Sequence, residues 1–288
     1  MESETRIKNI LVSVDGSETC LAAQVAAATL AKKTKAKVYV LHVIQSTRSY
    51  LDLPVDMNVP TSIYDDVYAN LRQRAETIVS SAQVLFKNHG VNVETEIVRE
   101  DDVANVILEK AQTGFELIVM GGRGEDEKER YALGSVAKKV VIHTDTPTLI
   151  IKKSSTLSNM LVCINGSERS AKALHFAAAI AKTMGSKITL LNVQESLLGE
   201  KSQQVAKEIS QRISSRVIES LRDADLKVDS KMVFGVPSNR ILDVAHKGDY
   251  DLIVLSKKGS GTITRFLLGS TSDAVTYKSK RSVLLVPA

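Results

Sequence analysis

Nearly every stretch of this chain occurs in it twice. Ile10–Ser46 aligns without a gap on Met160–Ser196 at an offset of 150 residues, and Phe115–Lys153 aligns on Tyr250–Ala288 at an offset of 135. A repeat of this length is a whole folding unit rather than a hairpin or a helix pair. The 288 residues therefore predict two tandem domains, 1–154 and 158–288, meeting near Ser154–Ser158. The drop in offset places extra residues between the two matched blocks of the first copy. Thr47–Pro60, which contains Pro54 and Pro60, is the expected insertion.

Within each copy, short apolar runs alternate with helical patterns. Ile10–Val14 is apolar almost throughout and ends at Asp15-Gly16, as a strand buried on both faces would. Ser17 can cap the alanine-rich helix that follows, to about Lys33. Further strands are predicted at Val38–Ile44, Val93–Val98, Leu117–Met120 and Thr148–Ile151, with helices over Ser62–His89, Val103–Gln112 and Gly134–His143. The second copy predicts strands at Met160–Ile164, Lys187–Val193, Lys227–Phe234, Leu252–Leu255 and Val283–Val286. Such alternation gives an α/β fold: two doubly wound domains, each a five-stranded parallel sheet flanked by helices.

Composition narrows the setting. Two cysteines, Cys20 and Cys163, imply no disulfide framework and fit a reducing compartment. The opening residues lack the apolar core of a secretion signal. No apolar run approaches the roughly 18 residues of a membrane span. A cytoplasmic protein without a membrane partner is expected. The net charge of +5 is spread as pairs such as Lys32-Lys33, Lys138-Lys139 and Lys152-Lys153 among acids, with few aromatics. This predicts a solvated basic surface rather than nucleic-acid binding.

Ligands of open parallel sheets sit beyond the carboxyl ends of strands, where the winding reverses. Two features of each copy fall there. One is Asp15-Gly16-Ser17, matched by Asn165-Gly166-Ser167, which also reads as a plain capped turn. The other is Gly121-Gly122-Arg123-Gly124, nine residues, then Gly134-Ser135 opening a helix. Its counterpart is Ser256-Lys257-Lys258-Gly259, nine residues, then Gly269-Ser270-Thr271. Glycines admit close backbone approach and a helix start offers free N–H groups, so the pair can cradle a phosphate chain. No Gly-Lys-Ser/Thr triplet follows, so this is not a Walker loop.

Gly-x2-Gly-x9-Gly-Ser after a strand, with an Asp-Gly-Ser turn after the first strand, resembles the universal stress protein family over nearly the whole chain. The resemblance implies sheet order 3-2-1-4-5 in an adenine-nucleotide alpha-hydrolase-like fold. It further implies a cleft for ATP, ADP or AMP, with or without Mg2+, in a regulatory protein of the stress response. Carried over, Asp15 meets the ribose, the backbone of Val43 meets adenine, and Gly121, Gly124, Gly134 and Ser135 hold phosphates, with Gly122, Arg123 and Val136 adjoining. The second copy offers Asn165, Val193, Ser256, Lys257, Lys258, Gly259, Gly269, Ser270 and Thr271. Val43 and Val193 read equally well as core strand residues. Family members pair through their last strands, here Pro147–Ile151 and Ser282–Val286, which predicts a pseudo-dimer within one chain and leaves a homodimer of chains open.

The copies depart from the pattern differently. The first has Glu100-Asp101-Asp102 where the second has Gly235-Val236-Pro237, and its nine-residue loop is acidic. Carboxylates beside a polyphosphate weaken binding unless they face solvent or share a divalent ion. The second replaces aspartate with Asn165 and the first loop glycine with Ser256, which is tolerable if its φ is negative. The first site is therefore expected to bind better. The five histidines sit at no metal-ligand spacing with either cysteine, and His42 reads as structural because Asn192 replaces it. No catalytic set is legible. The alternatives to a binding protein are a slow ATPase or nucleotidyl-transferring enzyme, and a scaffold of the same family that binds no nucleotide.

Overall fold

The computed structural model describes residues 6–46, 60–123, 133–153, 156–195, 200–221, 226–258 and 268–287. In the first copy the order is β1 (Asn9–Ser13), α1 (Glu18–Thr34), β2 (Lys37–Ile44), α2 (Thr61–Asn88), β3 (Val93–Arg99), α3 (Val103–Ala111), β4 (Leu117–Gly121), α4 (Ser135–His143) and β5 (Thr148–Ile151). The second copy repeats it as β6 (Asn159–Ile164), α5 (Glu168–Met184), β7 (Lys187–Gln194), α6 (Glu200–Ser220), β8 (Val228–Phe234), α7 (Pro237–Lys247), β9 (Leu252–Ser256), α8 (Ser270–Lys278) and β10 (Ser282–Val286).

All ten strands form one sheet, ordered β3-β2-β1-β4-β5-β10-β9-β6-β7-β8. Each half has the expected 3-2-1-4-5 order and is parallel throughout. The halves join where β5 and β10 pair antiparallel, Ile150 opposite Val283 and Leu149 opposite Leu284. The last strands therefore meet inside a single chain.

Strands covered on both faces need apolar residues at successive positions. β5 and β10 are buried along their whole length. On one face lie α1, α2, α5 and α6; on the other lie α3, α4, α7 and α8, and each core runs continuously from one copy into the other. Alanines set the spacing of α1: Ala23 and Ala27 are fully buried and let the helix lie close to the sheet. Lys33 of α1 donates to the carbonyl of Met184, at the end of α5, at 3.0 Å. The outer strands β3 and β8 have only half-buried or exposed residues.

Equivalent packing locates the insertion. A Cβ on Gly16 would meet Ile78, and one on Gly166 would meet Ile213. The first pair of glycines is 150 apart and the isoleucines are 135 apart, so the extra residues lie before this turn of α2. Residues 47–59 themselves lie outside the described part, so no structure is assigned to the predicted insertion. No helix of the described residues is long and apolar enough to cross a membrane.

Candidate functional site

A cleft of about 360 Å³ opens at the carboxyl ends of β1 and β4, where the winding reverses; a second of about 360 Å³ lies at the same place on β6 and β9. Turns at the strand ends build both. Asp15 Oδ1 accepts from the N–H of Ser17 at 2.9 Å, bending the chain through Gly16, whose φ of +87° suits glycine. Ser17 then caps α1, its side chain accepting from the N–H of Cys20 at 3.2 Å. Asn165 Oδ1 and Ser167 repeat both bonds in the second copy, at 3.1 and 3.2 Å. The capped-turn reading is thus correct, and Asp15 also lines the cleft.

The glycine-rich strand end packs against this turn. The hydroxyls of Thr19 and Ser17 donate to the carbonyl of Arg123 at 2.7 and 3.1 Å. A Cβ on Gly121 would stand 2.7 Å from Thr19 Oγ1 and 2.8 Å from the backbone nitrogen of Cys20. Glycine is needed there because α1 approaches so closely; its φ is not positive. The N–H of Gly122 donates to the carbonyl of Ile151 at 2.8 Å, and its carbonyl accepts from Gly134 at 2.8 Å, tying the two ends of the loop together. Lys257 makes the same two bonds in the second copy, to Val286 at 2.7 Å and from Gly269 at 3.0 Å. Ser256 has no positive φ, the condition for tolerating serine, and its hydroxyl donates to the carbonyl of Lys258 at 2.9 Å.

Gly134 begins α4 with φ −60° and ψ 153° and supplies no side-chain cap. First-turn N–H groups have no acceptor within a helix, and here Ser135, Val136 and Ala137 line the cleft mouth. The positive end of the helix dipole adds to their attraction for an anion. Gly269 starts α8 with the same geometry, and Ser270, Thr271 and Ser272 line the second cleft.

Of the residues singled out in the first copy, Asp15, Val43, Gly121, Arg123, Gly134, Ser135 and Val136 line one cleft. Gly122 is not part of its lining, and Gly124 lies outside the described residues. In the second copy Asn165, Val193, Ser256, Gly269, Ser270 and Thr271 come together. Gly259 lies outside the described residues, and Lys257 and Lys258 do not line the cleft. The Lys257 side chain runs the other way: it is only 3% exposed, and its ammonium donates to the carbonyl of Thr144 in the first copy at 2.7 Å. Glu100, Asp101 and Asp102 stay out of the first cleft. Asp101 accepts from the N–H of Ser46, while Asp102 caps α3 and pairs with Lys139.

Sequence reasoning did not assign Arg74 or Ile78 to the first cleft, which they line from α2 together with Leu71. The signal was an arginine set in the apolar stripe 71-75-78-79-82. In register with Ile213, the second copy has Ile209 in place of Arg74. His42 also lines the first cleft, and its Nδ1 donates to the carbonyl of Val14 at 2.7 Å. Asn192 makes the equivalent bond to Ile164 at 2.8 Å, so this contact is structural. Burial holds the His42 imidazole below its ordinary value, and the nearby Arg74 works in the same direction against Val14 and Asp15. The first cleft thus carries Asp15, Arg74 and Arg123, whereas the described lining of the second has no charged side chain.

With this geometry in place, comparison with known proteins is direct. The universal stress protein family model matches residues 6–152 and again 156–287. The chain belongs to the universal stress protein family. A universal stress protein of Synechocystis is 22% identical over 293 residues, covering 96% of this chain and 99% of the relative. One from Methanocaldococcus jannaschii is 30% identical over 151 residues, 52% of this chain and 85% of the relative. The crystal structure of a universal stress protein from Archaeoglobus fulgidus superposes with a TM-score of 0.70 at 20% identity, covering 99% of each chain. The likeness to the Synechocystis relative and to the Archaeoglobus structure spans both copies of this chain.

Proposed function

We propose that this universal stress protein binds an adenine nucleotide in its first cleft and acts as a nucleotide-responsive regulator in the cytoplasm. The observation that carries the reading is the meeting of Asp15, Gly121 and the glycine-capped start of α4 around one cleft. A phosphate chain fits against the first-turn N–H groups of α4, whose N-cap, Gly134, carries no capping side chain. Asp15 has one carboxylate oxygen held in its turn; the other is the acceptor a ribose hydroxyl would meet. Val43, at the end of β2, offers backbone groups to the base. Arg123, and Arg74 from α2, supply positive charge. Asp15 is the single carboxylate of the described lining, so a Mg2+ ion would arrive with the nucleotide and take ligands mainly from phosphate and water. Both cysteines are free, which suits a reducing compartment.

The second cleft has the same fold but Asn165 for the aspartate, Ile209 for Arg74, and Lys257 turned away. It is the weaker site in this reading.

Titration of the full chain with a fluorescent ATP analogue tests the proposal against Gly134→Asp. The backbone at 134 suits aspartate, whose carboxylate would cap α4 and occupy the anion position. Thermal stability should hold or rise slightly while affinity falls at least about tenfold, as expected for a like charge against phosphate. Saturable binding unchanged by this substitution, or no binding by either protein, would overturn the reading.

A further inference from the structure

The side chain of Lys257 belongs to the second copy's phosphate loop by sequence, yet it serves the first copy's helix. Its ammonium reaches the carbonyl of Thr144, the C-cap of α4, and both residues are buried. Thr144 is held in place: its N–H donates to Val140 at 2.9 Å, and its hydroxyl accepts from Thr146 at 3.0 Å. The other end of α4 is the glycine-capped helix start in the first cleft, about 13 Å away for nine residues. The backbone of Lys257 is tied as firmly to the second cleft, since its carbonyl accepts from Gly269, the residue that opens α8.

We propose that Lys257 is a strut joining the two clefts, so that the charge and position of the second copy's loop set anion affinity at the first through α4. The symmetry-related positions differ in residue type. The position equivalent to Lys257 is Gly122, where the Lys152 side chain fills the space a Cβ would take, at 2.8 Å. The equivalent of Thr144 is Ser279, whose hydroxyl is engaged locally by Arg281.

Physically, a cation at a helix C-terminus and an anion at its N-terminus both align with the same dipole, and each strengthens the other. A buried path screens this attraction little. The coupling is also mechanical and reciprocal: a ligand at the start of α8 that displaces Lys257 would displace the cap of α4, and occupancy of the first cleft would resist that displacement. This inference rests on the reading of the first cleft as a phosphate site.

The test compares the full chain with Lys257→Met, which fills the same buried space without the charge. ATP and inorganic pyrophosphate are titrated calorimetrically from pH 7 to pH 9, with thermal unfolding monitored in parallel. Burial pushes the Lys257 ammonium down to about 8, with Asp145 raising it and Lys258 lowering it further. The unsubstituted chain should therefore lose affinity as the pH rises through that value. The methionine variant should bind roughly fivefold more weakly at pH 7, the size of ordinary site couplings, and lose the Lys257 step from its profile. Titration of the ligand itself is common to both proteins, so the difference between the two profiles is what reports Lys257; Asp145 and Lys258 are the charged neighbours that face it. Equal affinity and the same profile in both proteins overturn the strut alone. Failure of the unsubstituted chain to bind either ligand overturns the strut and the cleft reading together. If the methionine variant melts early, Lys257→Arg decides: a charge strut predicts recovery of pyrophosphate affinity at pH 7, and no recovery in a folded arginine variant counts against it.

Discussion

Gly121 and His42 show what the fold adds to the reading of a single residue. Glycine at 121 was expected so that a ligand could come close, but the element that comes close is α1, through Thr19 and Cys20. No local pattern in the sequence reveals which neighbour crowds a backbone, because that neighbour lies a hundred residues away. His42 was legible as structural only because its repeat partner is Asn192, and the shared bond to a strand-end carbonyl explains the exchange. A prediction follows at this scale. Burial lowers the folded His42 value, so protonation favours the unfolded chain. The stability this group contributes is full above its unfolded value of about 6.5 and is lost as the pH falls through that value toward the lower folded one. His42→Asn should keep the bond to Val14, stay within about 0.5 kcal/mol of the parent at pH 7, and unfold with a shallower loss of stability toward pH 5. Urea midpoints at the two pH values measure this.

Among the elements, helices were easier to place than the contacts at their ends. The α2 expectation of Ser62–His89 lies within one residue of Thr61–Asn88, because a long periodic stripe defines a helix. Which face of α2 looks into the cleft was not legible, since Arg74 joins the site only through the packing of α2 beside β2. The start of α1 is a second case. Ser17 was recognised as a cap from its position, but its additional bond to the carbonyl of Arg123, more than a hundred residues on, needed the fold. Ser17→Ala should therefore cost about 1–2 kcal/mol, from a lost cap and a lost tie to the β4 loop. Ser167→Ala should cost nearer 1 kcal/mol, as its remaining hydroxyl bond is a short-range one to Asn165. Chemical denaturation of the two variants side by side gives the comparison.

At the scale of the whole molecule, the repeat made the two doubly wound halves legible before any coordinates, and the family resemblance implied their strand order. It could not dictate one ten-stranded sheet, because the choice between pairing within and between chains depends on linker reach and not on the strands. The β5–β10 join buries Leu149, Ile150, Val283 and Leu284. Separated halves, 1–154 and 158–288, would each leave that apolar strand open as an edge, and open edges seek partners. Produced apart, the halves should self-associate, and on mixing they should form a one-to-one complex of the mass of the intact chain, as read by light scattering after gel filtration. Persistent monomers that ignore each other would show that the join contributes little.

The same join has a consequence for abundance. Two separate chains that meet through their last strands come apart when they become scarce, so their assembly reports how much protein is present. Here the partners are tethered through the few residues between β5 and β6, and the local concentration of each around the other is fixed by that tether rather than by expression. Their pairing is a first-order event. A cell that makes little of this protein has fewer molecules, each still fully assembled, and the two halves are free to diverge in sequence without ever meeting the wrong mate.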